Sequence, residues 1–219
     1  MESDYWLQRW QVGNIGFHAT EVNDQLKEIW PYLQIPQNTT VFAPLSGKSL
    51  DLVWLRQQGH PVVGVEISEL ACRQFFSDQH IAPEIAQTEN FRVFKADGYT
   101  LYCGDFFEFS RNYLPENTCV FDRASLVAFP PEMRHSYAQK MDELMTNNAT
   151  MLLISLRYSK DHMDGPPFSL ETEDIRSLYS HSFQIQPLKS VNRIDMMEKF
   201  KERGLTEIWE ETYKLTKIA

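Results

Sequence analysis

The chain has 219 residues, 42% of them hydrophobic, with 30 Asp and Glu against 21 Lys and Arg, for a formal net charge of −9. This is enough apolar material for one substantial core and sets the expectation of a single domain over 1–219, while the acidic balance, with only mild basic clusters at 189–193 and 199–203, opposes a nucleic-acid partner. No apolar run approaches the ~20 residues of a membrane span, and residues 1–20 are polar and aromatic instead of signal-like, so the expected location is cytoplasmic with no membrane partner.

In chain order, residues 1–20 carry Trp6, Trp10, Phe17 and His18, too aromatic for a solvated tail. Together with a helix predicted over 21–33 (Val22, Leu26, Ile29, Trp30 and Leu33 on one face), residues 1–35 are read as a lid folded over a site. Thr40-Val41-Phe42-Ala43 is the first strand. Pro44 to Ser49 makes a tight turn, and a helix over 50–58 stops at Gly59. The strand Val62-Val63-Gly64-Val65-Glu66 follows, with Ser68 as N-cap of the next helix and Glu69 in its first turn, where a negative charge suits the helix dipole.

Residues 91–96 and 99–103 read as a short hairpin or a bent strand about Asp97-Gly98. Cys119-Val120-Phe121-Asp122 is another strand, 132–145 a helix with core spacing, and 150–156 a buried strand. A loop over 158–168 contains Gly165-Pro166-Pro167. It leads to a short helix over 171–179 and strands over 183–191 and 206–216. The class is α/β: a Rossmann-like, doubly wound, mostly parallel seven-stranded sheet with an antiparallel C-terminal strand.

Strand, turn, helix, strand, acid is the mononucleotide half of such a sheet. It places Glu66 at the carboxyl edge, where its carboxylate can accept both ribose hydroxyls of a nucleoside. The glycines qualify which nucleoside. Gly47 stands alone, with no G-x-G-x-x-G to cradle a pyrophosphate and no phosphate-binding loop for a triphosphate. S-adenosylmethionine has the ribose and adenine without phosphate, and fits this pattern. The three cysteines, Cys72, Cys103 and Cys119, have neither disulfide nor zinc spacing and read as small buried hydrophobes; no histidine pair has metal-ligand spacing, so no metal is expected.

Six ordered segments then carry a resemblance. They are Trp6 and Trp10 with Gly16-Phe17-His18; Phe42 to Lys48; Gly59 to Ser68; Leu101 to Phe107; Asp122 to Ala128; and Gly165 to Phe168. In these the chain resembles the bacterial type of thiopurine S-methyltransferase, within the class I S-adenosylmethionine-dependent methyltransferases. The resemblance implies that Trp10, Leu45, Glu66, Asp105, Phe106 and Arg123 contact the cofactor, Glu66 through the ribose and Asp105 with Phe106 through the adenine. It also implies S-methylation of small aromatic or heterocyclic thiols, with selenium or tellurium compounds as further acceptors in detoxification.

Arg123 ends a strand at the carboxyl edge, and its permanent charge suits the anionic thiolate or thione of an acceptor; it is the one candidate catalytic residue. An activated sulfonium donor and an acidic thiol leave mainly alignment and electrostatics to the protein, which weakens the case for an obligatory general base and leaves His18 as an alternative proton relay. Phe17, Phe168 and Leu126 are expected to line the acceptor pocket. Lys199 stands near where the resembling enzymes carry a second arginine, with Arg193 and Arg203 as alternatives. A non-catalytic S-adenosylmethionine sensor, a halide or other small-nucleophile methyltransferase, and a nicotinamide oxidoreductase are the rival readings; a monomer is expected.

Overall fold

A computed structural model describes residues 3–219, which divide into two compact units, one running up to Val120 and the other from Phe121 to Ala219.

The first unit begins with helix α1 (Ser3–Gln11), then α2 (Asp24–Ile29), continued by a 3-10 turn, Trp30–Leu33. The side chain of Asn23 caps α2 by accepting from the Leu26 N–H. Strands β1 (Thr40–Ala43), β2 (Val62–Glu66), β3 (Glu84–Gln87), β4 (Arg92–Ala96), β5 (Tyr99–Cys103) and the start of β6 (Thr118–Arg123) form a sheet in the order β3-β4-β5-β2-β1-β6. Its centre is parallel: β1 lies between β2 and β6, and β2 against β5. Every residue of β1 and β2 is buried, which accounts for their unbroken apolar runs. Helices α3 (Leu50–Gln57) and α4 (Glu69–Asp78) begin at Ser49 and Ser68, whose hydroxyls accept from the amides of Asp51 and Ala71. Phe42, Phe91, Tyr102, Phe109 and Tyr113 form one contiguous aromatic core.

The second unit holds α5 (Pro131–Leu144), β7 (Thr150–Arg157), α6 (Thr172–Tyr179), β8 (Phe183–Asn192), α7 (Glu198–Lys201) and β9 (Trp209–Lys217). Here β9 lies antiparallel between β7 and β8, the expected antiparallel finish. Proline at the first position of α5 costs no hydrogen bond, and α6 starts with a reciprocal Glu171–Asp174 capping box.

The α/β class, the parallel centre and the hairpin about Asp97-Gly98 agree with the sequence reading. The strand count differs: nine strands occur among the described residues instead of seven. The hairpin contributes two separate strands, and β3 has all four residues exposed, so it lacks the apolar alternation by which strands are read.

Candidate active site

The turn after β1 is built around the Glu66 side chain. Leu45 and Gly47 take left-handed conformations (φ 45 and 53), and the Ser46 N–H donates to Val65 O at 2.8 Å. This aims the Gly47 N–H at Glu66 Oε2, 2.8 Å away, while the Ser68 N–H donates to Oε1 at 2.8 Å. Each oxygen thus holds one backbone amide and keeps lone pairs for further donors. Glu66 is almost wholly buried, and desolvation pushes its pKa from 4.5 up to about 7 against the pull of those amides.

Two further features shape this pocket floor. The Ser46 hydroxyl is buried and has no hydrogen-bond partner. Gly64 on β2 leaves no room for a side chain, since a Cβ there would stand 2.6 Å from Ser46 Oγ and 2.8 Å from Leu101 Cδ2. A Cβ on Gly47 would meet the Trp10 ring at 3.4 Å and Glu66 Oε2 at 4.0 Å, so the end of α1 packs over the turn beside the carboxylate. Trp10 is buried. Phe17 meets the edges of both tryptophans, at 5.4 Å from Trp6 and 5.6 Å from Trp10, with the Arg9 guanidinium 5.7 Å from its ring centre.

On the other side of β2, the Gly104 N–H donates to Glu66 O at 3.0 Å and brings the next residues alongside. Asp105 is exposed and caps a 3-10 turn through the Phe107 N–H, and Phe106 is buried. Leu45, Glu66, Asp105 and Phe106, dispersed in sequence, therefore lie at one edge of one sheet, with Trp10 of α1 packed beside Gly47. Its donors and acceptors suit a phosphate-free nucleoside: a buried acid with spare lone pairs, an orphaned hydroxyl and aromatic cover.

In the second unit, Arg123 is the half-buried last residue of β6 and is followed by Ala124 in a left-handed conformation (φ 64). The preceding Asp122 is fully buried and accepts from Tyr137 Oη at 2.8 Å and from the Leu126 N–H at 3.3 Å. Burial pushes its pKa up to about 6. Phe168 is half-buried; its N–H donates to Val127 O at 2.7 Å, and the Arg134 guanidinium lies 5.9 Å from its ring centre. Leu126 is completely buried, which makes it a packing residue instead of the pocket wall expected of it. Lys199 is exposed on α7; Arg193 is buried and committed to Glu210 Oε2 at 2.8 Å; Arg203 donates to Met163 Sδ at 3.0 Å. Of these three, Lys199 and Arg203 are exposed.

The sequence reading missed two features. Asp122 repeats the pattern that marked Glu66, an acid ending an apolar strand, and that signal was available. The orphaned Ser46 hydroxyl depends on tertiary placement and leaves no local trace.

Comparison with known proteins supplies the chemistry. The family model described as thiopurine S-methyltransferase matches residues 1–218. Proteins named thiopurine S-methyltransferase from Nitrosospira multiformis (39% identical, covering 98% of both chains) and Bordetella pertussis (38%, covering 100% of both) are similar over nearly the whole length. Among solved structures, an S-adenosylmethionine-dependent methyltransferase from Anabaena variabilis has a TM-score of 0.68 at 14% identity, covering 98% of this chain and 94% of that one. A Burkholderia thailandensis N1-methyltransferase solved with S-adenosylhomocysteine has a TM-score of 0.64 at 12% identity, covering 99% and 87%. The distant structures share the fold. With the relatives and the family model matched from end to end, the chain belongs to the thiopurine S-methyltransferase family and is an S-adenosylmethionine-dependent methyltransferase.

Proposed function

We propose that this enzyme methylates the sulfur of small aromatic or heterocyclic thiols, with selenium or tellurium compounds as further soft acceptors, in a detoxifying role in the cytoplasm. The observation that carries the reading is the buried Glu66, held open by two backbone amides beside Trp10. Its free lone pairs would take the ribose hydroxyls, the Asp105–Phe106 segment the adenine, and the turn at Leu45 to Gly47 the amino-acid end. When bound, S-adenosylmethionine supplies an already activated methyl group.

The chain's own residues then have to align and to exclude water. Trp10 and Phe17 cover the turn with apolar surface. Arg123 would favour the anionic form of the acceptor and fix its plane by paired N–H donors, a role that a lysine point charge fills less well. Phe168 would offer an aromatic face, and Lys199 or Arg203 a second positive charge.

Calorimetric titration with S-adenosylhomocysteine, followed in the same sample by an aryl-thiol methylation assay, tests the reading. Binding with turnover supports it. Binding without thiol turnover overturns the acceptor assignment and favours a sensor or another nucleophile, which iodide and selenite would separate. Absence of binding removes Glu66 as the ribose acceptor. Arg123→Lys is expected to lower turnover or raise the KM for the thiol with the melting temperature unchanged; a loss of stability with normal kinetics would assign Arg123 to structure alone.

A further inference from the structure

Arg134 is a buried cation for which methyl transfer has no direct use. It lies on α5 with 5% of its surface exposed. Its hydrogen-bond partners are backbone carbonyls: Nε donates to Phe129 O at 3.1 Å and Nη2 to Ser169 O at 3.3 Å. The guanidinium carbon stands 5.9 Å from the centre of the Phe168 ring. The carboxylates of Asp174 and Glu132 act on it as charges without bonding to it. Taking a guanidinium out of water and answering it with neutral carbonyls costs the fold a desolvation that a packed Met or Leu would avoid, so stability is a poor reason for a cation at this position.

The two carbonyls belong to two different segments. Phe129 closes the turn that runs on from Arg123, and Ser169 directly follows Phe168. The segments also meet through the Phe168 N–H, which donates to Val127 O at 2.7 Å. The second of them is fastened in turn to the end of β7. The Tyr158 N–H donates to Ser169 Oγ at 2.9 Å, that hydroxyl donates to Tyr158 O at 2.8 Å, and the Leu170 N–H donates to Leu156 O at 2.9 Å. Tyr158 Oη donates to Pro167 O. Backbone bonds thus hold Phe168 from both of its neighbouring segments, and Arg134 spans them. Nε and Nη2 donate from one edge of a rigid plane, so a slip of one carbonyl against the other breaks the fork.

We propose that Arg134 is a positioning residue for the acceptor: it keeps the Phe168 loop in register with the turn that carries Arg123, so that a flat aromatic thiol can lie against the ring while Arg123 holds its sulfur. The proposal rests on the reading of Arg123 and Phe168 as acceptor contacts and extends it to a residue that touches neither acceptor nor cofactor. A lysine here keeps the charge and loses the fork, because a point charge has no fixed pair of donors. The ring then moves relative to Arg123, and a displacement of about 1 Å in a supporting group is enough to weaken a site.

The test is a double-mutant cycle on thiophenol methylation with the wild-type chain, Arg134→Lys, Phe168→Leu and the double variant, each checked by its melting curve and by calorimetric titration with S-adenosylhomocysteine. Arg134→Lys is expected to raise the KM for thiophenol about tenfold, with kcat and S-adenosylhomocysteine affinity unchanged. Phe168→Leu should also raise that KM, and adding Arg134→Lys to it should change nothing further, because the ring through which the arginine acts is gone. Should Arg134→Lys melt early, Arg134→Gln, which reaches a carbonyl without burying a charge, takes its place in the cycle. Additive losses in the double variant, a fall in kcat at constant KM, or a weakened S-adenosylhomocysteine complex in the arginine variant overturns the proposal. A wild-type chain that binds S-adenosylhomocysteine and leaves thiophenol unmethylated overturns the acceptor reading and this proposal with it, whereas normal wild-type turnover matched by the Arg134 variants overturns this proposal alone.

Discussion

Glu66 combines a raised pKa with a role that requires charge, and this gives opposite pH signatures to fold and ligand. Its folded pKa, about 7, lies above the ordinary 4.5, so the native state binds the proton more tightly than the unfolded chain. Stability contributed by the protonated form is full below 4.5 and is lost as pH rises through 7. The ionised form is the better acceptor for two ribose hydroxyls. S-adenosylhomocysteine affinity should therefore rise between pH 6 and 8, a window centred on that value, and the rise should vanish in Glu66→Gln; parallel titration curves for the two proteins would disprove it. Glu66→Ala should cost roughly 2–4 kcal/mol of cofactor binding, the scale of two charge-assisted hydrogen bonds, with the fold retained. Gly64→Ala forces a methyl against Ser46 Oγ and Leu101, and a loss of about 1–3 kcal/mol is expected in urea unfolding. Glu66 could be singled out in sequence because it closes an apolar strand after a strand–turn–helix, although Asp122, which ends β6 in the same way and holds the following turn, shows that the acid alone is no mark of a ligand site. The unpartnered Ser46 hydroxyl could not, since its burial depends on how the turn after β1 packs against β2.

Elements differ in how far their own residues determine them. The buried strands β1, β2 and β7 were readable as apolar runs, and α4 from its Ser68 cap, whereas the exposed β3 is a strand by virtue of pairing with β4. The turn after β6 depends on a buried carboxylate: Asp122 accepts from Tyr137 and from the Leu126 N–H on the far side of Arg123 and Ala124. Tyr137→Phe removes one donor from a buried acid, and a loss of about 1–3 kcal/mol is expected by urea unfolding. The pairing of β8 with β9 is tied at one end by Arg193 and Glu210, both almost fully buried. Arg193→Ala would strand the Glu210 charge, at roughly 3–5 kcal/mol, whereas replacing both partners by apolar residues should cost much less; equal losses in the single and double variants would refute this account. The loop before Phe168 is equally particular, because Gly165 has φ 97 and a Cβ on it would lie 2.4 Å from the Phe168 ring. Gly165→Ala is expected to raise the KM for the thiol with S-adenosylhomocysteine affinity unchanged.

At the scale of the whole chain, the net charge of −9 sets the mean field that any partner meets. A duplex should show no mobility shift even at low salt, where phosphate contacts are strongest. Composition alone makes that legible, as alternating strands and helices make the α/β class legible; the strand count is not, because an edge needs no apolar residues. That edge has a further consequence. Strand β3 exposes all four of its residues, follows Pro83, and places Glu84 opposite Lys95 of β4. A short rim bearing an acid is a poor template for another chain's backbone, so copies of the enzyme should not zip together there even in crowded solution. Glu84→Val would extend the apolar run beside Ile85, already 48% exposed, and turn a guarded rim into a seed for aggregation, visible as concentration-dependent growth in light scattering.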